Sequence, residues 1–430
     1  MSIATRRLPR RPLIAGAALT GATLALGGCG VGSRGGGSGA GAGEVRATWW
    51  GGDSENSALN AALDALAQET GTKVARETQA WDGYWDRLAT QTAGGNAPDL
   101  IMQAGSQIPD YAERGTLLDL NTQETLDVEA IDEGLEQFGL VGDQLYGVVA
   151  ASNAMGLVAR DDLVGQAGLS LPGDDYDWEE LAQIAVSAHD ALGDEIWGLQ
   201  DGGGDLILFV MKVRDDGRQF YADDGTLNAT PEDLTAWLQY WQDLRDAGGA
   251  PPADVTAEGQ GELPNTALAQ GRAAMGFGWT QDYVAYARLS DSSLSLHLPP
   301  HVPATPSLWM NAASLWSVSS TSSVPDAAVE LINQLTNSTE AIEALGISLG
   351  IPPSEAAREQ LTGSLSAEEQ IAMDYMSTVA EVSTPLNRLW PAGFDELRTL
   401  LGDLNEAVAF GDLSIPDAVD QFFTTATDFT

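Results

Sequence analysis

The chain has 430 residues, 43% of them apolar, and a formal charge of −42 at neutral pH. That length holds two bodies of ordinary domain size, each with its own core, and the apolar fraction excludes a disordered acidic tail. A surface this acidic repels nucleic acid and anionic lipid headgroups, so neither is an expected partner.

The first residues stand apart from the rest. Arg6, Arg7, Arg10 and Arg11 precede an uncharged apolar run over residues 13–26, too short to span a membrane and suited to the core of an export signal. The run ends in Leu26-Gly27-Gly28-Cys29, which resembles the lipobox of bacterial lipoproteins, and Cys29 is the only cysteine in the chain. In such proteins the signal is cut before the cysteine and its thiol carries a lipid. Residues 1–28 are therefore expected to be a lipoprotein signal peptide, exported by the general or the twin-arginine route. Residues 29–44, rich in Gly, Ser and Ala, are expected to form a flexible tether. Removing the signal takes away four arginines and leaves about −46. The expected location is the extracytoplasmic face of the cell membrane, with the lipid on Cys29 as the only membrane contact.

Beyond the tether, residues 45–50 read as a strand, and Leu59, Ala62, Leu63 and Leu66 mark one stripe of a helix that Asp53 or Ser54 can cap. Residues 73–78 give a second strand. Trp85, Leu88, Ala89 and Thr92 give a second helix, with Asp82 as its cap. A third strand covers 99–102. Strand, helix, strand, helix, strand indicates a parallel α/β sheet. Further along, 145–149 and 155–159 look like strands. Asp177 and Thr230-Pro231 open helices, the second carrying Trp237 and Trp241 on its apolar face. Strands are expected at 273–278 and 314–318 and a helix at 325–335; the last 65 residues are mostly helical.

Several short segments carry a resemblance. They are Trp81-Asp82-Gly83-Tyr84-Trp85-Asp86-Arg87-Leu88 with Gln91 to Asp99 behind it, Tyr111-Ala112-Glu113-Arg114-Gly115, Leu145-Tyr146-Gly147, and Gly271-Arg272-Ala273-Ala274-Met275. Ser314 to Ser319 followed by Pro325-Asp326-Ala327-Ala328, and Gly350-Ile351-Pro352, complete the set. Together, in this order behind a lipobox, they make the chain similar to bacterial extracellular solute-binding proteins of family 1, the sugar-binding lipoproteins of ABC importers. The resemblance implies a two-lobe periplasmic-binding-protein type II fold, each lobe a mainly parallel sheet flanked by helices. It also implies a hinge of two or three crossing segments, a ligand in the cleft and delivery to ABC permease subunits. No catalysis and no cofactor follow from it, and a monomer is expected. The first lobe is placed at 45–150 plus 305–345 and the second at 151–304 plus 346–430.

In open α/β sheets the binding crevice lies beyond the carboxyl ends of the strands. Trp50 and Asp53 follow the first strand, Trp81 the second and Gln103 the third, so all four face one edge. A sugar has an apolar C–H face that suits an indole and hydroxyls that suit carboxylates and amides. Twelve Trp against nine Phe fits such a ligand. Trp279 follows a strand at a place where the resemblance implies stacking on sugar, and Trp316 and Trp390 are further candidates. Asp53 either accepts hydroxyls or caps its helix, and Asp201 either faces the cleft or builds a tight turn. Many relatives carry an aspartate near Ala104; here Gln103 is expected to substitute. Trp49, Trp178, Trp197, Trp237 and Trp241 are expected to pack in the core.

Competing functions are weaker. A surface-anchored glycoside hydrolase would also combine tryptophans with paired carboxylates, but among 62 acids some pair is always close. His297 and His301 flank Pro299-Pro300, which forbids the helix that would align them on a metal. A binding protein for a peptide or a polyamine is the nearer rival.

Overall fold

The computed structural model describes residues 43–427, apart from 133, 172, 174, 223, 260–262, 303, 304, 306, 387–389 and 392. The expected signal peptide, Cys29 and the expected tether through residue 42 lie outside the described residues.

β1 (Glu44–Trp50) turns through Gly51 and Gly52 into α1 (Asp53–Glu69), followed by β2 (Lys73–Gln79), α2 (Trp81–Ala93), β3 (Leu100–Gln103) and α3 (Ile108–Glu113). β1 pairs in parallel with both β2 and β3, as the alternating periodicities require. Val45, Ala47 and Trp49 share a buried cluster with Leu59, Ala62, Leu63 and Leu66 of α1. Each fully buried large side chain contributes roughly 1.5–3 kcal/mol. The opposite face of this sheet carries a second cluster of Tyr84, Leu88, Ile101, Tyr111 and Leu117.

A short hairpin, β4 (Leu140–Val141) and β5 (Gln144–Leu145), precedes β6 (Val148–Asn153), which passes through Ala154 alone into β7 (Met155–Arg160). Next come α4 (Asp161–Gln166), α5 (Trp178–Leu192), β8 (Trp197–Leu199), α6 (Leu206–Asp215), α7 (Pro231–Asp246) and α8 (Ala253–Glu258). β9 (Ala273–Trp279), α9 (Thr280–Leu289), β10 (Leu294–His297) and β11 (Asn311–Val318) follow. The chain ends in α10 (Pro325–Asn337), α11 (Thr339–Leu345), α12 (Glu355–Leu361), α13 (Ala367–Val382), α14 (Phe394–Ala409) and α15 (Ile415–Ala426). Among the described residues, no helix is long and apolar enough to cross a membrane.

Two larger sheets result, ordered β2-β1-β3-β11-β6 and β10-β7-β9-β8. Both are mixed, where mainly parallel sheets were expected. β11 runs antiparallel to β3 and β6, and β7 runs antiparallel to β9 and β10. The reason is connectivity: a crossover helix delivers a parallel neighbour, whereas β7 and β11 each arrive directly from the other sheet.

β6 stays in the first sheet through Asn153, and β7 belongs to the second. α12 stays with the first half: it packs on α11, and Arg358 pairs with Asp132 at 2.6 Å. α13 then packs on α9 and β10, α14 on α6, and α15 on α7. Beside the Asn153 crossing, Asn311 Nδ2 donates to Asn153 Oδ1 at 2.9 Å and Asn153 Nδ2 to Gln281 Oε1 at 3.2 Å.

Candidate functional site

The turn after β1 is built for a close approach. A Cβ on Gly51 would lie 2.7 Å from Glu55 Cβ, so only glycine fits. Glu55 accepts from the Gly52 N–H at 3.0 Å and closes the helix start. This sends β1 straight into α1 and leaves Trp50 at the sheet edge. Trp81 and Trp85 sit one turn apart on α2 and meet it there. The Trp50 and Trp81 ring centroids are 5.0 Å apart and nearly perpendicular; Trp81 and Trp85 are 5.4 Å apart, and Trp50 and Trp85 5.6 Å. Tyr84 pins α2 to the sheet by donating to the Met102 carbonyl at 2.6 Å. Burial pushes the Tyr84 hydroxyl well above its ordinary pKa and Tyr111 up to about 12, so this wall stays uncharged. Trp81 remains 48% exposed.

That exposed ring faces a cavity of about 760 Å³ between the two halves. Trp81, Trp85 and Gln107 line it from the first half. Gln200, Asp201, Gly202, Gly204, Asp205 and Leu208 line it from the segment joining β8 to α6 and from α6 itself. A third wall is α14, through Asp395, Arg398, Thr399, Gly402 and Asn405. These recur at helical spacing, while Leu397, Leu401, Leu404 and Val408 bury the other face. Trp81 also lines an adjoining space of about 350 Å³ with Trp50, Gly51, Gly52, Glu55, Asn153, Gln281 and Ser314.

A buried polar network supports the second-half walls. Arg245 Nε donates to Asp201 Oδ2 at 2.6 Å and Arg245 Nη2 to Asn405 Oδ1 at 2.7 Å. Asp201 Oδ1 accepts from the Gly203 N–H at 2.8 Å. The Asp201 and Arg245 side chains are only 1% and 4% exposed. A Cβ on Gly203 would fall 2.5 Å from Asn405 Oδ1 and 2.9 Å from the Trp241 ring, so the loop docks as bare backbone. One contact spans the cavity: Asp395 Oδ2 accepts from Ser106 Oγ at 2.9 Å and from Gln107 Nε2 at 3.0 Å.

The residues singled out from sequence separate into groups. Trp50 lines the smaller space, Trp81 both, and Asp201 the larger, although both Asp201 oxygens are already held. Trp279 is half-buried at the start of α9, its N–H donating to Asp282 Oδ2 at 2.9 Å, and it lines neither space. Asp53 is exposed in the first turn of α1; it lines neither space, and Gly52 with Glu55 takes the cap. Gln103 is fully buried, lines neither space, and both its amide atoms lack a partner. Trp316 is 2% exposed in the main core because Met102 and Val148 flank it in the sheet. Trp390 is buried too, stacked on Phe394 at 4.2 Å and edge-on to Trp309. Trp316 and Trp390 are thus core residues, a correction to the expectation that they face a ligand. Trp49, Trp178, Trp197, Trp237 and Trp241 are buried as expected.

Sequence reasoning missed Trp85, Gln107, Asp205 and the polar face of α14. By sequence Trp85 belongs to an apolar stripe, yet its spacing of four from Trp81 places both rings on one helix face. On α14 the signal was a polar stripe with Gly402 in mid-helix, where glycine costs about 1 kcal/mol without a packing reason. Among the described residues, no cluster of His, Cys, Asp and Glu could hold a metal. The site offers an aromatic platform opposed by amides, hydroxyls and charged groups, which suits reversible capture of a polar solute with an apolar face.

Residues 61–373 match the model of a family described as bacterial extracellular solute-binding protein. A family 1 extracellular solute-binding protein from Alicyclobacillus acidocaldarius superposes with a TM-score of 0.72 at 27% identity, covering 90% of this chain and 98% of that one. A periplasmic oligogalacturonide-binding protein from Yersinia enterocolitica, in complex with saturated digalacturonic acid, gives 0.75 at 23% identity over 89% and 97%. An ABC substrate-binding protein from Listeria monocytogenes, in complex with cycloalternan, gives 0.76 at 19% over 90% and 98%. At these last two identities the likeness is one of fold. An uncharacterized lipoprotein in the oleD 5′ region of Streptomyces antibioticus is 31% identical over 109 residues, which span 25% of this chain and 24% of that protein.

Proposed function

Because the chain belongs to the bacterial extracellular solute-binding protein family, we propose that it captures a saccharide between its two halves and delivers it to an ABC permease. Trp81 carries this reading: a large, half-exposed indole on the wall of a cavity of ligand size, facing polar groups across the gap. The pyranose C–H face lies on Trp81, and its hydroxyls meet Gln107, Gln200, Asp205, Thr399 and Asn405. Trp50 extends the platform into the adjoining space, and Asp201 shapes the wall by holding Arg245. Saccharides bound by structural relatives support the ligand class.

In this reading the ligand binds the closed arrangement better and so raises its population. The bridge from Asp395 to Ser106 and Gln107 favours that arrangement. The protein acts as a monomer without catalysis, held at the outer face of the membrane by a lipid on Cys29. The lipoprotein relative and the extracellular family support that location. A fluorescence screen of mono- and oligosaccharides against the purified protein tests the reading. Saturable quenching with every saccharide recovered intact is the expected result. Saturation by peptides or polyamines alone, or appearance of new reducing ends, would replace it.

A further inference from the structure

The chain is strongly acidic, and among the described residues its arginines are correspondingly occupied. Arg46, Arg76, Arg87, Arg114, Arg160, Arg218, Arg245, Arg272, Arg288 and Arg358 each pair with a carboxylate. Buried Arg214 donates to Gln219 and to the Thr384 carbonyl. Arg398 is different. It lines the larger cavity from the polar face of α14 and makes no hydrogen bond or ion pair with a described residue.

The carboxylates around it do not account for it. Asp201 is held by Arg245 and the Gly203 N–H, Asp205 accepts from the Ile207 N–H, and Asp395 takes Ser106 and Gln107. Asp282 shares an electrostatic contact with Arg398, but its Oδ2 takes the Trp279 N–H and burial pushes its pKa up, toward the neutral form. Near Arg398, Asn405 gives its Oδ1 to Arg245, and its Nδ2 has no partner among the described residues. Beside the second oxygens of Asp205 and Asp395, which take no described donor, this wall keeps donor capacity: a planar fork of guanidinium N–H groups and one amide NH₂. A neutral hydroxyl uses such a fork poorly, whereas a carboxylate matches it with two parallel bonds.

We propose that the cavity is selective for a carboxylate-bearing saccharide of the uronic-acid class, with Arg398 gripping the carboxylate while the ring lies on Trp81. The inference rests on the saccharide reading above and adds the ligand's charge to it. The negative field of the whole chain slows approach of such an anion and is screened beyond about 8 Å at physiological salt. Asp205 and Asp395 line the same cavity and oppose the anion at short range, so the paired N–H bonds from Arg398 must outweigh them.

The test is calorimetric titration of the protein and its Arg398→Gln and Arg398→Lys variants with matched pairs. The pairs are glucuronic, galacturonic and mannuronic acids, as mono- and disaccharides, against glucose, galactose and mannose in the same linkages. At least one acid should bind the native protein ten times or more tighter than its neutral parent. Arg398→Gln should lower that affinity roughly ten- to hundredfold and the neutral parent's less than threefold. Arg398→Lys, which keeps the charge and loses the fork, should fall between. The side chain is exposed, so unchanged melting curves will show that the variants fold. Neutral sugars binding as tightly as their acids, or Arg398→Gln weakening both alike, overturns the inference and leaves the saccharide reading standing. Failure of every saccharide to bind overturns both.

Discussion

Tryptophans of one composition do two jobs here, and burial separates them. Trp316 lies in the middle of the first sheet, so Trp316→Ala should cost about 3–5 kcal/mol of stability, while Trp316→Phe should keep ligand affinity within threefold; thermal melts and titrations check both. Trp81 should behave in the opposite way, with stability nearly unchanged on truncation. Gln103 is a third kind of residue. Its amide is sealed from water with neither end bonded, so Gln103→Leu should raise stability by about 1–2 kcal/mol without weakening binding, and lost binding would restore it as a ligand contact. The sequence could not distinguish these cases. Position after a strand places a residue near the sheet edge, but whether its side chain turns to the gap or into the sheet depends on register, and register comes from partners far along the chain.

Elements built from local contacts were legible; those fixed by the other half of the molecule were not. The parallel run from β1 to β3 follows from a clean alternation of strand and helix periods, because each helix buries its stripe on the strands beside it. The antiparallel entries of β7 and β11 needed knowledge of where the chain crosses. So did the role of α14, whose polar face acquires meaning only when Trp81 is brought opposite it. At the edge, β2 is tied down by Glu77, which accepts from Arg46 at 2.8 Å and Arg87 at 2.5 Å. Burial raises the Glu77 pKa, but hydrogen bonds from Arg46 and Gln91 and the charges of Arg46 and Arg87 outweigh it, and the net shift is downward. A depressed carboxylate stabilises above its unfolded pKa, and the contribution is lost as pH falls through the folded value. Glu77→Gln should therefore cost roughly 1 kcal/mol at pH 7, and the gap between the two melting profiles should close below about pH 4.

For the molecule as a whole, function depends on two sheets joined by short crossings and on a gap lined from both sides. The bridge from Asp395 to Ser106 and Gln107 is the polar contact that spans the larger cavity. Asp395→Ala should open the unliganded protein, seen as a larger radius of gyration in solution scattering, and should lower apparent affinity two- to tenfold as the competent fraction falls. An unchanged radius with unchanged affinity would remove that bridge from the closing mechanism. The central claim is narrower still: a saccharide rests on the exposed indole in the gap. Isothermal titration of the native protein and of Trp81→Ala with the same saccharide measures it most directly. One site per chain and a loss of about 2 kcal/mol, roughly thirtyfold, on truncation are expected. Equal affinity in the two proteins would contradict it.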